Sequence, residues 1–287
     1  MQETWNRVLR LLPEELARLL RQMEPMRRAS AEELRLRSGQ RAALRLPEGE
    51  ITLDFPVTQA VLGAVLEAVT SASLHAVTDQ LRRGYLTAPG GIRVGVCGMA
   101  VTEGTVRTLR DISSLNLRIP RQISGVGGAV PERLKTGSVL IISPPGGGKT
   151  TFLRELVRKV SDGGTPVALA DERGELAGMC DGEACFDVGR CTDVLTGAPK
   201  AEAAEMLLRA MAPAVVAMDE IASQADAQAV LRLLGCGVRI FATAHAETPE
   251  ALYRRAPLRM LVEQGAFDRL VRISGSGANR RYEVLEL

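Results

Sequence analysis

The run SPPGGGKTTF (residues 143–152) sets three consecutive glycines, a lysine and two threonines between an apolar stretch, SVLII, and a helix-like one, LRELVRKV. Glycines let a backbone turn tightly and point its N–H groups inward. A helix starting there adds the positive end of its dipole to the same spot. Lysine supplies a full charge and threonine a hydroxyl suited to a magnesium ion. These are the parts of a nest for nucleotide phosphates, with Pro145, Gly146, Gly147, Gly148, Lys149, Thr150 and Thr151 as its residues. The consensus, Gly, four residues, Gly-Lys-Ser/Thr, is met at its end by Gly148-Lys149-Thr150; its first position holds Ser143. That departure is tolerable if Ser143 lies on a strand end with ordinary dihedrals.

A phosphate loop needs a magnesium partner. AVVAMDE (residues 214–220) brings Asp219 and Glu220 to the carboxyl end of an apolar run. Asp219 would hold the metal through water, and Glu220 would polarise the attacking water. A second acidic cluster, LADERGEL, ends the preceding apolar run with Asp171, Glu172, Arg173 and Glu175. Glu172 therefore competes with Glu220 for the role of general base, and spacing alone leaves the choice open. His245 ends the next run, in ATAHAE. It is either a packed histidine beside the helix start at Thr248-Pro249-Glu250 or a sensor of the γ-phosphate. His75 has no such setting and reads as structural.

These residues need strands and helices to position them. Apolar runs of strand length fall at Val139–Ser143, Pro166–Asp171, Ala214–Glu220 and Val238–Ala246. Helical patterns lie between them, at Lys149–Val160, Ala201–Met211 and Gln224–Leu234. Continuous apolar strands alternating with helices predict a parallel sheet covered on both faces, with ligands at the carboxyl ends of the strands. The end of the chain reads as a hairpin around Gly275–Gly277.

The first half differs. Amphipathic helices open the chain, with Pro13 starting the second, and intramolecular packing is the commoner use of such helices than membrane docking. ELRLRSGQRAALRL predicts two strands joined at Ser38–Gln40. A helical pattern spans Thr58–Val69 and another lies near Leu74–Arg83. GYLTAPGGIRVGVCGMAV predicts a hairpin with Pro89-Gly90-Gly91 at its tip. This is an α+β pattern without a catalytic motif. The Gly- and Pro-rich stretch before Val139 reads as a flexible link. The predicted division is an α+β domain over 1–124, a linker over 125–137 and a RecA-like P-loop domain over 138–287.

Composition narrows the classes. The chain of 287 residues is 46% hydrophobic with a net charge of +2, so it can bury a sizeable core and carries no global pull toward nucleic acid or anionic membrane. Only 3% of it is aromatic, which weighs against base stacking by a nucleic-acid-dependent or RNA-binding ATPase, the main rival reading. A nucleotide switch that barely turns over is a third reading, opposed by the three acids Asp219, Glu220 and Glu172. No run approaches the roughly 18 apolar residues of a membrane span, and no secretory signal is apparent. The five cysteines, Cys97, Cys180, Cys185, Cys191 and Cys236, fit reduced thiols in a cytoplasmic protein, and CDGEACFDVGRC lacks the paired spacing of a zinc site.

With the phosphate loop, the acidic cluster, the acidic strand end and the TAHA strand in this order, the second half resembles a RecA-type ATPase of the secretion and type IV pilus superfamily. The acidic strand end is Asp-Glu here, where secretion ATPases more often show a glycine-rich form. Across nearly the whole chain, EELRLRSGQ, VRTLRDISSLNLRIPR, SPPGGGKTTFLRE, DVLTGAPKAEAAEMLLRAMAP and MDEIASQADAQAV are similar in order and spacing to the stage III sporulation protein AA family. That resemblance implies a magnesium-dependent ATPase in the mother cell of an endospore former. It would form a hexameric ring, peripheral to a membrane, and serve membrane-protein partners of a channel complex, with no specific nucleic acid. ATP is expected over GTP because no Asn-Lys-x-Asp guanine signature occurs. TVRTLRDISSLNLRIPR carries Arg107, Arg110, Arg118 and Arg121, and arginine pairs bidentately with phosphate. In the resembling ATPases, N-terminal arginines close over a nucleotide, which favours Arg107 and Arg110 as catalytic contributors here.

Overall fold

A computed structural model describes residues 2–70, 80–82, 84–88, 90–119, 122–180, 182–275 and 277–287. The chain divides into two compact units. The first comprises residues 1–121 with the excursion 178–185; the second comprises 122–177 and 186–287.

In the first unit, helices α1 (Gln2–Arg10), α2 (Glu14–Arg21), α3 (Pro25–Ser30) and α4 (Gln59–Thr70) accompany a six-stranded sheet. Its strands are β1 (Glu33–Arg37), β2 (Arg41–Leu46), β3 (Gly49–Pro56), β4 (Tyr85–Ala88), β5 (Ile92–Glu103) and β6 (Thr105–Arg118), in the order β3-β2-β1-β6-β5-β4. Every pairing is antiparallel. The strands alternate: Leu34 and Leu36 of β1 are buried while their neighbours are half-exposed, the pattern of a sheet with one wet face. The N-terminal helices turn inward, with Val8, Leu16 and Leu20 fully buried in the same core as Leu34, Leu44, Leu62 and Leu117. Their apolar stripe is thus spent on intramolecular packing. The helix expected near Leu74–Arg83, His75, Pro89 at the β4–β5 tip and Arg121 lie wholly or partly outside the described residues. The two-stranded ribbon β9 (Met179–Cys180) and β10 (Glu183–Ala184) belongs to this unit as well.

The second unit is the parallel sheet that the sequence predicts. Its strands are β7 (Val139–Ser143), β8 (Val167–Asp171), β11 (Thr192–Thr196), β12 (Val215–Met218), β13 (Arg239–His245), β14 (Arg269–Ser274) and β15 (Arg281–Glu286), in the order β11-β8-β12-β13-β7-β14-β15. All pairs are parallel except the terminal hairpin β14–β15. Every residue of β7, β8 and β12 is buried, as strands covered on both faces require. The helices are α5 (Val130–Arg133), α6 (Lys149–Asp162), α7 (Lys200–Met211), α8 (Gln224–Gly235) and α9 (Ala256–Glu263). A capping box, Ser223 with Asp226, starts α8.

Residues 125–137 are not the free linker that their composition predicts. They fold as part of the second unit. The short helix α5 lies within them, Val126 and Leu134 are buried, and a Cβ on Gly127 would overlap the ring of Phe152. Glycine here permits close packing against α6, not chain freedom. Among the described residues, no helix is long and apolar enough to cross a membrane, and no group of three or more His, Cys, Asp or Glu is arranged to hold a metal ion.

Candidate active site

Parallel register brings the site together. In β7 and β13, Ser143 lies opposite His245; in β12 and its neighbours, Met218 lies opposite Ala242 and Ala170. Asp171, Asp219, Ser143 and His245 therefore emerge at one edge of the sheet, where the strands end. The strand β7 does end at Ser143, and the chain turns through Pro144–Gly148 into α6. Gly148 has φ +96°, a left-handed conformation that a side chain strains against, and a Cβ on Gly147 would overlap the Ser143 hydroxyl. The loop is closed by Gly147 N–H donating to Pro144 O at 3.1 Å.

Lys149 is 6% exposed and folds back into this loop. Its Nζ donates to Ser143 O at 3.1 Å, Pro144 O at 3.2 Å and Ser143 Oγ at 3.3 Å. It also lies 2.9 Å from His245 Nδ1. Burial pushes its pKa down, and the charges of Asp219 and Glu220 push it back up. An ammonium has no lone pair, so Nδ1 accepts; a neutral imidazole then carries its proton on Nε2. That nitrogen faces Glu220 Oε1 at 3.4 Å. Lys149, His245 and Glu220 form one chain of polar contacts.

Thr150 and Asp219, proposed from sequence as metal partners, touch: the hydroxyl donates to Asp219 Oδ2 at 2.7 Å. The other carboxylate oxygen accepts from Thr243 Oγ1. The same hydroxyl accepts from Glu220 N–H at 2.8 Å. Thr243 is fully buried and was not among the residues singled out from sequence, although it opens the TAHA motif. It fixes two successive acidic residues at a point where Glu220 adopts φ +57°. Thr151 follows on the first turn of α6, half-buried.

The two competing glutamates differ in company. Glu220 Oε2 accepts from Arg173 at 2.7 Å and its other oxygen faces His245. Glu172 is drawn instead to the start of α7, where Lys200 Nζ lies 2.8 Å from Oε2. Both line one cleft with Asp171, Arg173 and Asp219. Asp171 itself is 3% exposed and accepts the N–H groups of Leu176 and Ala177 at 2.9–3.2 Å. Burial raises its pKa, against the pull of those N–H groups. Arg154 holds the same turn from beneath, donating to Leu176 O and Glu175 O at 2.7 Å, with its guanidinium 3.9 Å from the Phe186 ring centre. Burial lowers its pKa to about 10. Asp171 is thus a pin for the acidic turn. Asp171→Ala would strand two buried N–H groups and should lower unfolding stability by about 1–3 kcal/mol, read as a lower urea midpoint at unchanged slope.

Arg107 and Arg110 sit in the first unit on β6, both exposed. Arg107 pairs with Glu103 at 2.9 Å, and Arg110 rests on Met99 Sδ at 3.2–3.3 Å.

The family model for sporulation stage III, protein AA matches residues 2–282. The chain belongs to that family. It is 36% identical over 278 residues to the stage III sporulation protein AA of Bacillus subtilis (strain 168), covering 94% of this chain and 91% of that one. Among solved structures, it is similar to the pilus retraction motor PilT with bound ADP, at a TM-score of 0.65 and 15% identity, covering 98% of this chain and 83% of that one. It is also similar to the Legionella pneumophila ATPase DotB, at a TM-score of 0.63 and 14% identity, covering 96% and 80%. At such identities the likeness concerns the fold: an antiparallel sheet followed by a mostly parallel seven-stranded one. The family fits the motifs read from sequence, and the fold fits the order of strands.

Proposed function

We propose that this sporulation-family protein binds ATP with magnesium at the loop 145–151 and hydrolyses it, as the motor subunit of a homo-oligomeric ring acting on membrane-protein partners. The observation that carries the hydrolysis is the convergence of Lys149, Thr150, Asp219, Glu220 and His245 on one strand edge. The ring and its partners rest on family and on fold alone, through PilT and DotB.

In this reading the loop N–H groups and Lys149 hold the phosphates, and Lys149 exchanges its contacts to Ser143 and Pro144 for phosphate oxygens. Thr150 and Asp219, already in contact, are the hydroxyl and carboxylate that would hold magnesium. The ion takes most of its ligands from water and phosphate, so a site with one carboxylate suits it. Bound there, it would neutralise charge on the β- and γ-phosphates. Glu220 accepts the proton of the attacking water, while His245, bridging Lys149 to Glu220, couples the phosphate end to the base. Thr243 keeps Glu220 in place.

Steady-state phosphate release tests the assignment. Glu220→Gln should bind ATP nearly as wild type and turn it over about 10²–10⁴-fold more slowly, the worth of a positioned base. Glu172→Gln, whose partner is Lys200, should lose far less. The reverse ranking would move the base to Glu172. Stimulation of wild-type turnover by single-stranded nucleic acid would favour the nucleic-acid-dependent rival.

A further inference from the structure

One arginine of the second unit lies against the phosphate loop and has no hydrogen-bond or ion-pair partner among the described residues. Arg280 follows the turn Gly277–Asn279 and directly precedes β15. Two residues on, Tyr282 stacks on Phe152 of α6, with ring centres 5.2 Å apart and planes 27° apart. Alternate residues of an extended chain face the same way, so the stack that anchors Tyr282 beside α6 carries Arg280 to the start of that helix. Its guanidinium reaches Gly148: a Cβ built there would lie 3.0 Å from Cζ and Nη1 and 3.3 Å from Nε. Among the described residues Arg280 makes no hydrogen bond or ion pair, and its Nε is buried without an acceptor.

A buried N–H donor without an acceptor is costly and uncommon. Here it belongs to a planar fork suited to phosphate oxygens, placed against a glycine of a loop whose own N–H groups suit the same ligand. The missing acceptor and the ligand of the loop have one chemistry. We propose that Arg280 is a nucleotide-binding residue supplied by the same chain, donating to the diphosphate of the nucleotide held at Gly146–Thr151. This rests on the nucleotide reading of the loop. It adds a second cation, which approaches through the side left open by Gly148 and stands apart from the Lys149–His245–Glu220 chain. The terminal hairpin thereby becomes part of the binding site and not only an edge of the sheet.

The test is a set of affinities with magnesium present, for ADP by calorimetry and for adenosine by ligand-observed NMR, on wild type, Arg280→Ala and Arg280→Lys. Arg280→Ala should weaken ADP roughly 10–100-fold, the loss of a charge-assisted hydrogen bond, and leave adenosine unchanged. Arg280→Lys keeps the charge and the apolar stem but not the fork, so its loss should be smaller; it also keeps the test readable if the alanine variant does not fold. Unfolding midpoints without nucleotide check that the variants are intact. Wild-type affinity for ADP in Arg280→Ala overturns the proposal, and tighter binding would make the guanidinium a cover over the loop. Equal losses for ADP and adenosine would place the contact on the nucleoside and overturn it too. Failure of the wild type to bind ADP sinks the nucleotide reading itself, a result separate from any effect of Arg280.

Discussion

Lys149→Ala should abolish ATP turnover and weaken nucleotide binding by roughly 10–100-fold, the worth of a charge-assisted contact to phosphate. The size of the effect follows from where the ammonium is. It is 6% exposed, and every polar contact that it makes is to the loop or to His245. Burial lowers the pKa of Lys149, and the charges of Asp219 and Glu220 oppose that. A triphosphate arriving in the loop would add counter-charge directly against the ammonium. Removing Nζ takes away the charge that meets the phosphates and the donor that orients His245 toward Glu220. Two functions fail together, so kcat should suffer more than affinity. Phosphate release and calorimetry on the same samples separate the two. Near-normal hydrolysis by a folded Lys149→Ala protein would end the ATPase reading.

The central strands and the loop were legible in the sequence for a physical reason. Strands covered on both faces must be apolar throughout, as in VLIIS and VALAD, and the loop must carry glycines where its backbone bends. Edges were less legible. The strand β11, TDVLT, has no buried residue, so neither a continuous apolar run nor strict alternation marks it. The strand β3 has the same weakness: only Leu53 and Phe55 are buried. The stretch 125–137 misleads because glycine serves two ends, freedom and close approach, and only the ring of Phe152 against Gly127 tells which applies. In the site, residue types could be read but not their partners. Glu172 and Glu220 look equivalent as letters. What distinguishes them is Lys200, 28 positions from one, and His245, 25 positions from the other. Thr243 and Arg280 escaped because a threonine and an arginine carry no sign of a role until the strands align.

Arg107→Ala and Arg110→Ala should bind ATP almost as wild type yet hydrolyse it far more slowly, by about 10³–10⁵-fold if either acts as an arginine finger. Both are exposed on β6, and what holds them is weak: a surface pair with Glu103 for Arg107, and for Arg110 the Met99 sulfur and an exposed pair with Asp111 at 3.7 Å. Exposed ion pairs of this kind contribute about 0–1 kcal/mol, so either side chain can leave its present contact for a phosphate at little cost. If the site is shared between copies, the phosphate it serves belongs to another copy of the chain. A contact between unlike faces of identical copies repeats head to tail, and it closes into a ring where the rotation between copies permits. Complementation gives the decisive measurement. Each variant alone should be nearly inactive, as should Lys149→Ala. Mixed in equal amounts and assembled at random, roughly a quarter of the interfaces would join an intact loop to an intact arginine. Activity should therefore reappear in the mixture, peak near equal proportions and vanish on dilution below the assembly concentration. If mixtures that demonstrably co-assemble recover nothing at any ratio, the site is not shared. The two arginines would then be a surface for a partner or a solvated strand face, and the charge on the transferred phosphate would have to be met within one chain.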